Sequence, residues 1–110
     1  SGADCTAGGG QFYLSTNANL TTGTWYHLAI VYNDSANTIT LYKNGSAVSG
    51  ASMLNTPLTS SIISTTQPLV IGELVDGEET DGVLDDVRIY NAALSAAQIA
   101  DIYNSGTGCP

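Results

Sequence analysis

The run Gly82-Val83-Leu84-Asp85-Asp86-Val87-Arg88-Ile89-Tyr90-Asn91-Ala92-Ala93-Leu94 constrains this chain most tightly. β-Branched and aromatic residues dominate Val83 to Tyr90, as a half-buried strand requires, so the stretch is expected to be a strand running into a tight corner. Strand side chains alternate between faces, which puts Asp85 in a row with Val87 and Ile89, and Asp86 in a row with Arg88 and Tyr90. One carboxylate is then expected beside the core-facing row, where a buried charge needs a partner. Immediately after, Ser95-Ala96-Ala97-Gln98 has the spacing of a capping box. It predicts a short helix to about Asn104, stopped by Gly106, with Leu94, Ile99, Ile102 and Tyr103 along one face.

Upstream, the pattern is that of short strands and tight turns. Residues 1–10 read as an N-terminal arm with Gly8-Gly9-Gly10 as a joint, and Gln11 to Ser15 as a short strand. Trp25 to Asn33 is the most strand-like stretch, with Tyr26, Leu28, Ile30 and Tyr32 alternating against Trp25, His27, Ala29 and Val31. Both rows are apolar, which predicts a central strand covered on both sides. Asn33 to Asn37 is a turn-rich loop, and Thr38 to Lys43 alternates again. Asn44-Gly45 is a type I′ hairpin signal, with Ser46 to Ser49 returning. A long Ser/Thr-rich connection, Gly50 to Gln67, carries the apolar pair Ile62-Ile63. Pro68 to Glu73 reads as another strand and Leu74 to Asp81 as an acidic loop. These features together predict an all-β antiparallel sandwich with one short C-terminal helix, in a single domain over residues 1–110.

Charge narrows the partners. Lys43 and Arg88 stand against ten acids, for a net charge of −8. Nucleic acid is excluded as a partner because phosphate contacts need Lys and Arg, and attachment to anionic lipid is excluded for the same reason. Divalent cations and neutral sugars are compatible. No apolar run approaches the ~20 residues of a membrane span, so no direct span is expected. Any export signal is expected upstream of Ser1. Cys5 and Cys109 lie near opposite ends. In an oxidising compartment they could close a loop of about 100 residues, worth roughly 4–5 kcal/mol, and otherwise they are two free thiols.

Two stretches resemble the laminin-G-like members of the concanavalin A-like lectin/glucanase jelly rolls. The first is Thr24-Trp25-Tyr26-His27-Leu28-Ala29-Ile30-Val31-Tyr32 with Ile39-Thr40-Leu41-Tyr42-Lys43-Asn44-Gly45. The second is Leu69-Val70-Ile71-Gly72, then Gly82 to Asn91, Leu94-Ser95 and Ile99, which is similar to the family's closing strand and terminal helix. Order and spacing agree over roughly residues 20–104. The resemblance implies a concanavalin A-like jelly roll. Only about twenty residues precede Trp25, so an abbreviated sandwich is expected.

Glu73, Asp76, Glu78, Glu79, Asp81, Asp85 and Asp86 crowd one segment. Hard oxygen ligands at that density suit Ca²⁺. The resemblance implies Asp85 as the first ligand, with Asp86 next and Asp81 and Asp76 closing the site from the loop. The competing reading is a solvated acidic loop, with Asp85 satisfied by backbone N–H groups or by Arg88. Glycoside hydrolysis needs two carboxylates held ~5–10 Å apart across the bond, and Glu73, Asp76 and Glu78 lack the alternation that would place them so. His27 is the sole histidine and reads as structural, which leaves no zinc set. Sugar rings stack on aromatic faces, so Trp25, Tyr26, Tyr32 and Tyr42 are the ligand-binding candidates, ahead of Tyr13, Tyr90 and Tyr103, with Tyr42 expected to face solvent beside Thr38 and Thr40.

The expectation is therefore a non-catalytic lectin-like recognition or adhesion module, extracellular or at the cell surface, whose partner is a glycan or a cell-surface protein. The alternative is a structural subunit of a surface filament, pilin-like and self-assembling. A glycoside hydrolase is a remote third.

Overall fold

The computed structural model describes residues 14–15, 18–49, 52–53, 66, 68–74 and 78–105. Its strands are β1 (Leu14–Ser15), β2 (Leu28–Asn33), β3 (Thr38–Lys43), β4 (Ser46–Ala47), β5 (Ser52–Met53), β6 (Glu73–Leu74) and β7 (Glu78–Glu79), followed by helix α1 (Ala96–Asn104). Every strand pairing is antiparallel: β2-β3-β4 form one sheet, and β1-β5 and β6-β7 form two-stranded pairs. Cys5, Tyr13, Ile62-Ile63, Asp76, Gly106 and Cys109 lie outside the described residues, and with them the proposed disulfide, one calcium ligand and the helix stop.

Local turn chemistry builds the three-stranded sheet. Asn33 pairs with Thr38 across the first loop, and the Asn33 side-chain oxygen accepts from Ser35 Oγ (2.9 Å) and the Ala36 N–H (3.1 Å). Asn37 takes a left-handed φ of 51°, which asparagine tolerates, and its N–H closes the loop on the Asp34 carbonyl at 3.2 Å. The second connection is the expected two-residue hairpin. Asn44 at φ 50° and Gly45 at φ 80° have the positive angles of a type I′ turn, and Lys43 pairs with Ser46. Asn44 also ties the strand entry down. Its N–H donates to the His27 carbonyl (2.8 Å), and its Oδ1 accepts the His27 N–H (3.0 Å).

The register sorts the side chains into two faces. Leu28–Lys43, Ile30–Leu41 and Tyr32–Ile39 are opposite one another on one face, and Ala29–Tyr42, Val31–Thr40 and Asn33–Thr38 on the other. His27 has the parity of the second set, and its ring lies 5.9 Å from that of Tyr103 on α1. The helix therefore meets the sheet at the hairpin end, beside His27, the Gly45 turn and β4. Ser95 accepts from the Gln98 N–H (3.2 Å) while Gln98 Oε1 accepts from the Ser95 N–H (2.8 Å), so the capping box forms as its spacing predicts. Ile99 is the buried anchor at 4 % exposure, with Leu94 and Ile102 half-buried and Tyr103 at the rim.

Several expectations are corrected. Val83 to Tyr90 forms no strand and is exposed throughout, so neither Asp85 nor Asp86 lies in a core row. Asp86 sits at φ 53°, and its N–H donates to Asp85 Oδ1 at 2.8 Å; a left-handed residue with a locally spent N–H ends a ladder. Pro68 to Glu73 likewise yields strand only from Glu73, because Gly72 at φ 87° interrupts it. Among the described residues β2 pairs on one side only, with β3, rather than on both as a central strand would, and Ile30 is 72 % exposed. Tyr42, expected toward solvent, is 8 % exposed. It stands on the middle strand between Ala29 and Ala47, whose small side chains leave room for its ring.

Candidate functional site

The aromatic candidates separate by exposure. Trp25 precedes β2 and is 68 % exposed, so its ring is open to a partner. Tyr42 is withdrawn into the core. Tyr32 is half-buried, and its hydroxyl donates to Asp34 Oδ1 at 3.0 Å. Its pKa is raised above 10.0, first by burial and then by the Asp34 carboxylate. Tyr26, beside Trp25, shifts the other way. Its hydroxyl lies 2.8 Å from Thr21 Oγ1 and accepts the Thr21 N–H at 3.1 Å, and these bonds, the Thr21 hydroxyl first, lower its pKa. The tyrosine thereby pins the 18–24 segment against the start of β2.

The same corner holds a feature that residue patterns alone had not singled out. Lys43 Nζ stands 5.4 Å from the centroid of the Tyr26 ring and donates to the Ala18 carbonyl. It forms one wall of an open cleft of about 240 Å³, with Ala18, Asn19, Ser46, Ala47, Val48 and Ser49 as the remaining lining. The signal was available: a two-residue turn at Asn44-Gly45 fixes Lys43 opposite Leu28, in the row that Tyr26 begins.

The acidic segment behaves differently. Arg88 grips Asp86 with both arms, Nε to Oδ1 at 2.9 Å and Nη2 to Oδ2 at 3.1 Å. The Tyr90 hydroxyl first, and Asp86 next, raise the arginine's pKa and keep it charged. Asp85 is engaged by the following N–H, and Asp81 is exposed. Among the described residues, no three His, Cys, Asp or Glu side chains converge as a cation cage. A calcium ion needs six to eight oxygens, and Asp76, the remaining member of that set, lies outside the described residues. His27 makes no candidate ligand set either. Its Nδ1 is buried without a hydrogen-bond partner and its ring faces Tyr103, so the imidazole serves the strand–helix contact.

Comparison with known proteins extends this local picture. Residues 3–100 match the family model of laminin-G type described as the concanavalin A-like lectin/glucanases superfamily. Over 81 residues the chain is 32% identical to adhesion G-protein coupled receptor V1 of Danio rerio, a stretch that is 73% of this chain and 1% of the receptor. It is also similar to the crystal structure of an S-layer domain-containing protein from Clostridium thermocellum, at 31% identity and a TM-score of 0.51, covering 80% of this chain and 43% of that one. The chain thus spans only a small part of the receptor and less than half of the solved chain. On the strength of the match across residues 3–100, this chain belongs to the laminin-G-type family of the concanavalin A-like lectin/glucanases superfamily, whose fold is the antiparallel β-sandwich.

Proposed function

We propose that this chain is a non-catalytic recognition or adhesion module working outside the cell, and that it binds a glycan or a surface protein through the exposed Trp25 corner. The observation that carries the reading is the 32% identity to an adhesion receptor across 73% of the chain. Two features support it. Trp25 offers an open ring of the kind on which pyranose faces stack. Asp85 and Asp86 are committed to a backbone N–H and to Arg88 rather than paired across a cleft, which disfavours them as the acid–base pair that hydrolysis needs. Among the described residues, no helix is long and apolar enough to cross a membrane.

A glycan array probed with the wild-type chain and with Trp25→Ala tests the proposal. Saturable binding that falls at least tenfold in the variant is the expected result, and silence of the wild type across the array removes the glycan arm. Calcium is not needed by this reading. Melting in calcium and in chelator is expected to give the same midpoint, and a higher midpoint in calcium would bring Asp81, Asp85, Asp86 and Asp76 back as ligands.

The solved relative favours a second reading. That protein carries an S-layer domain, which fits a structural component of a surface array. Ordered multimers of the isolated chain in the electron microscope, together with silence on the array, would select this reading over the first.

A further inference from the structure

We propose that the cleft beside Lys43 is a docking point for a carboxylate presented by a protein partner, an aspartate or glutamate side chain on an exposed segment. This site is separate from the Trp25 ring and does not depend on glycan binding. The chain carries two basic side chains. Arg88 is bound to Asp86 by two hydrogen bonds, whereas Lys43 has no carboxylate partner among the described residues. Lys43 as a residue is half-buried, its stem covered by the 18–24 segment and its ammonium at the cleft wall. An ammonium has three donors, and among the described residues the Ala18 carbonyl takes one while the Tyr26 face attracts the charge without accepting a strong bond. A cation held in place by the Ala18 carbonyl and the Tyr26 ring is pre-organised for an incoming anion, which then has less ordering to impose.

The lining selects what accompanies the anion. Ser46 and Ser49 contribute hydroxyls and Asn19 an amide, while Ala18, Ala47 and Val48 are small and apolar. Among the described residues no aromatic ring is part of the lining, so they offer a pyranose nothing to stack on. The volume of about 240 Å³ is below the roughly 300–1,000 Å³ of sites that enclose drug-sized ligands, and it suits one side chain. Asn19, at a left-handed φ of 52°, is part of this lining. By strand parity Lys43 projects from the face opposite α1, so the helix does not stand in the way. The chain's net charge of −8 disfavours an acidic partner at long range, but at physiological salt that repulsion is screened beyond about 8 Å.

The test is an NMR titration of the full chain with a capped glutamate, N-acetyl-glutamate N-methylamide, against the matching capped glutamine. Saturable shifts at the Ser46, Ala47 and Ser49 amides are expected with glutamate, at least tenfold weaker with glutamine, and weaker again in high salt. Lys43→Gln is expected to abolish the preference. Because Lys43 is half-buried, Ser49→Glu serves as a second variant: it places a competing carboxylate at the exposed rim without disturbing the lysine, and it too should abolish binding. Equal binding of the two capped amino acids, or a preference that survives both variants, overturns the proposal. So does glucuronate binding tenfold more tightly than capped glutamate, which would assign the cleft to an acidic sugar. Failure of the glycan array has no bearing on any of these outcomes.

Discussion

The hairpin–helix unit from Trp25 to Lys43 and Ala96 to Asn104, and the acidic ribbon from Asp81 to Tyr90, are equally rich in strand-forming residues but differ in what fixes them. In the first, each bend carries its own instruction within a few residues: Asn33 and Asn37 around one loop, Asn44 and Gly45 at the next, Ser95 and Gln98 at the helix start. In the second, Asp85, Asp86 and Arg88 satisfy one another along the chain, and Val83, Val87 and Ile89 are left exposed. Strand propensity reflects packing against neighbours more than a backbone preference, so a run of β-branched residues becomes a strand only when something lies beside it.

The most severe way to break this contrast is at Gly45. An ideal Cβ there would lie 2.9 Å from Tyr103 Cδ1 and 3.3 Å from Tyr103 Cβ, and the residue sits at φ 80°. Gly45→Val is expected to cost about 1–3 kcal/mol in backbone strain. Overpacking against α1 adds about 1–3 kcal/mol more. Both are read as a lowered urea midpoint with helix signal lost first. Asn44→Ala comes next. It removes the acceptor of the part-buried His27 N–H and should cost about 1–3 kcal/mol in the same assay. Ser95→Ala opens the capping box, for about 1 kcal/mol, visible as fraying of α1 by circular dichroism. On the other side, Arg88→Gln breaks the two-armed pair with Asp86 yet should leave the midpoint unchanged, since exposed ion pairs contribute little. A clear loss in that variant would show that the ribbon is structurally coupled after all.

The smallest effect sharpens the picture within the first region. Tyrosine ring carbons followed by NMR should titrate with Tyr26 below, and Tyr32 above, the ordinary value of 10.0. Because its folded pKa is raised, the contribution of Tyr32 is complete below the unfolded value and is lost as pH rises through the higher folded one. Tyr26 has the opposite sign: its contribution appears above the unfolded value and is lost as pH falls through the lowered one. Replacing Thr21 by valine should return Tyr26 toward the ordinary value, since the Thr21 hydroxyl is the largest cause of its shift.

This contrast also explains which parts of the molecule were legible in the amino-acid order. The Asn44-Gly45 turn and the Ser95–Gln98 box could be read directly, because each is complete within four residues. Tyr42 was misread because threonines at 38 and 40 look polar. Threonine is a good strand former, however, and Tyr42 shares its row with the small Ala29 and Ala47 on the neighbouring strands. Val83 to Tyr90 was misread because alternation says how a strand would face, not whether a neighbour exists to make it one. The Lys43 cleft was implicit in the hairpin register. It became visible only once the 18–24 segment, held by Thr21 and Tyr26, was seen to cross the sheet beside it.

Amide hydrogen exchange tests the central contrast most directly. The Asn44, Val48 and Ile99 amides, bonded to the His27, Leu41 and Ser95 carbonyls, should exchange slowly and together with those of β2 and β3. Amides from Val87 to Tyr90 should exchange orders of magnitude faster. Protection of the ribbon equal to that of the hairpin would contradict the account and place Val83 to Tyr90 in a paired strand.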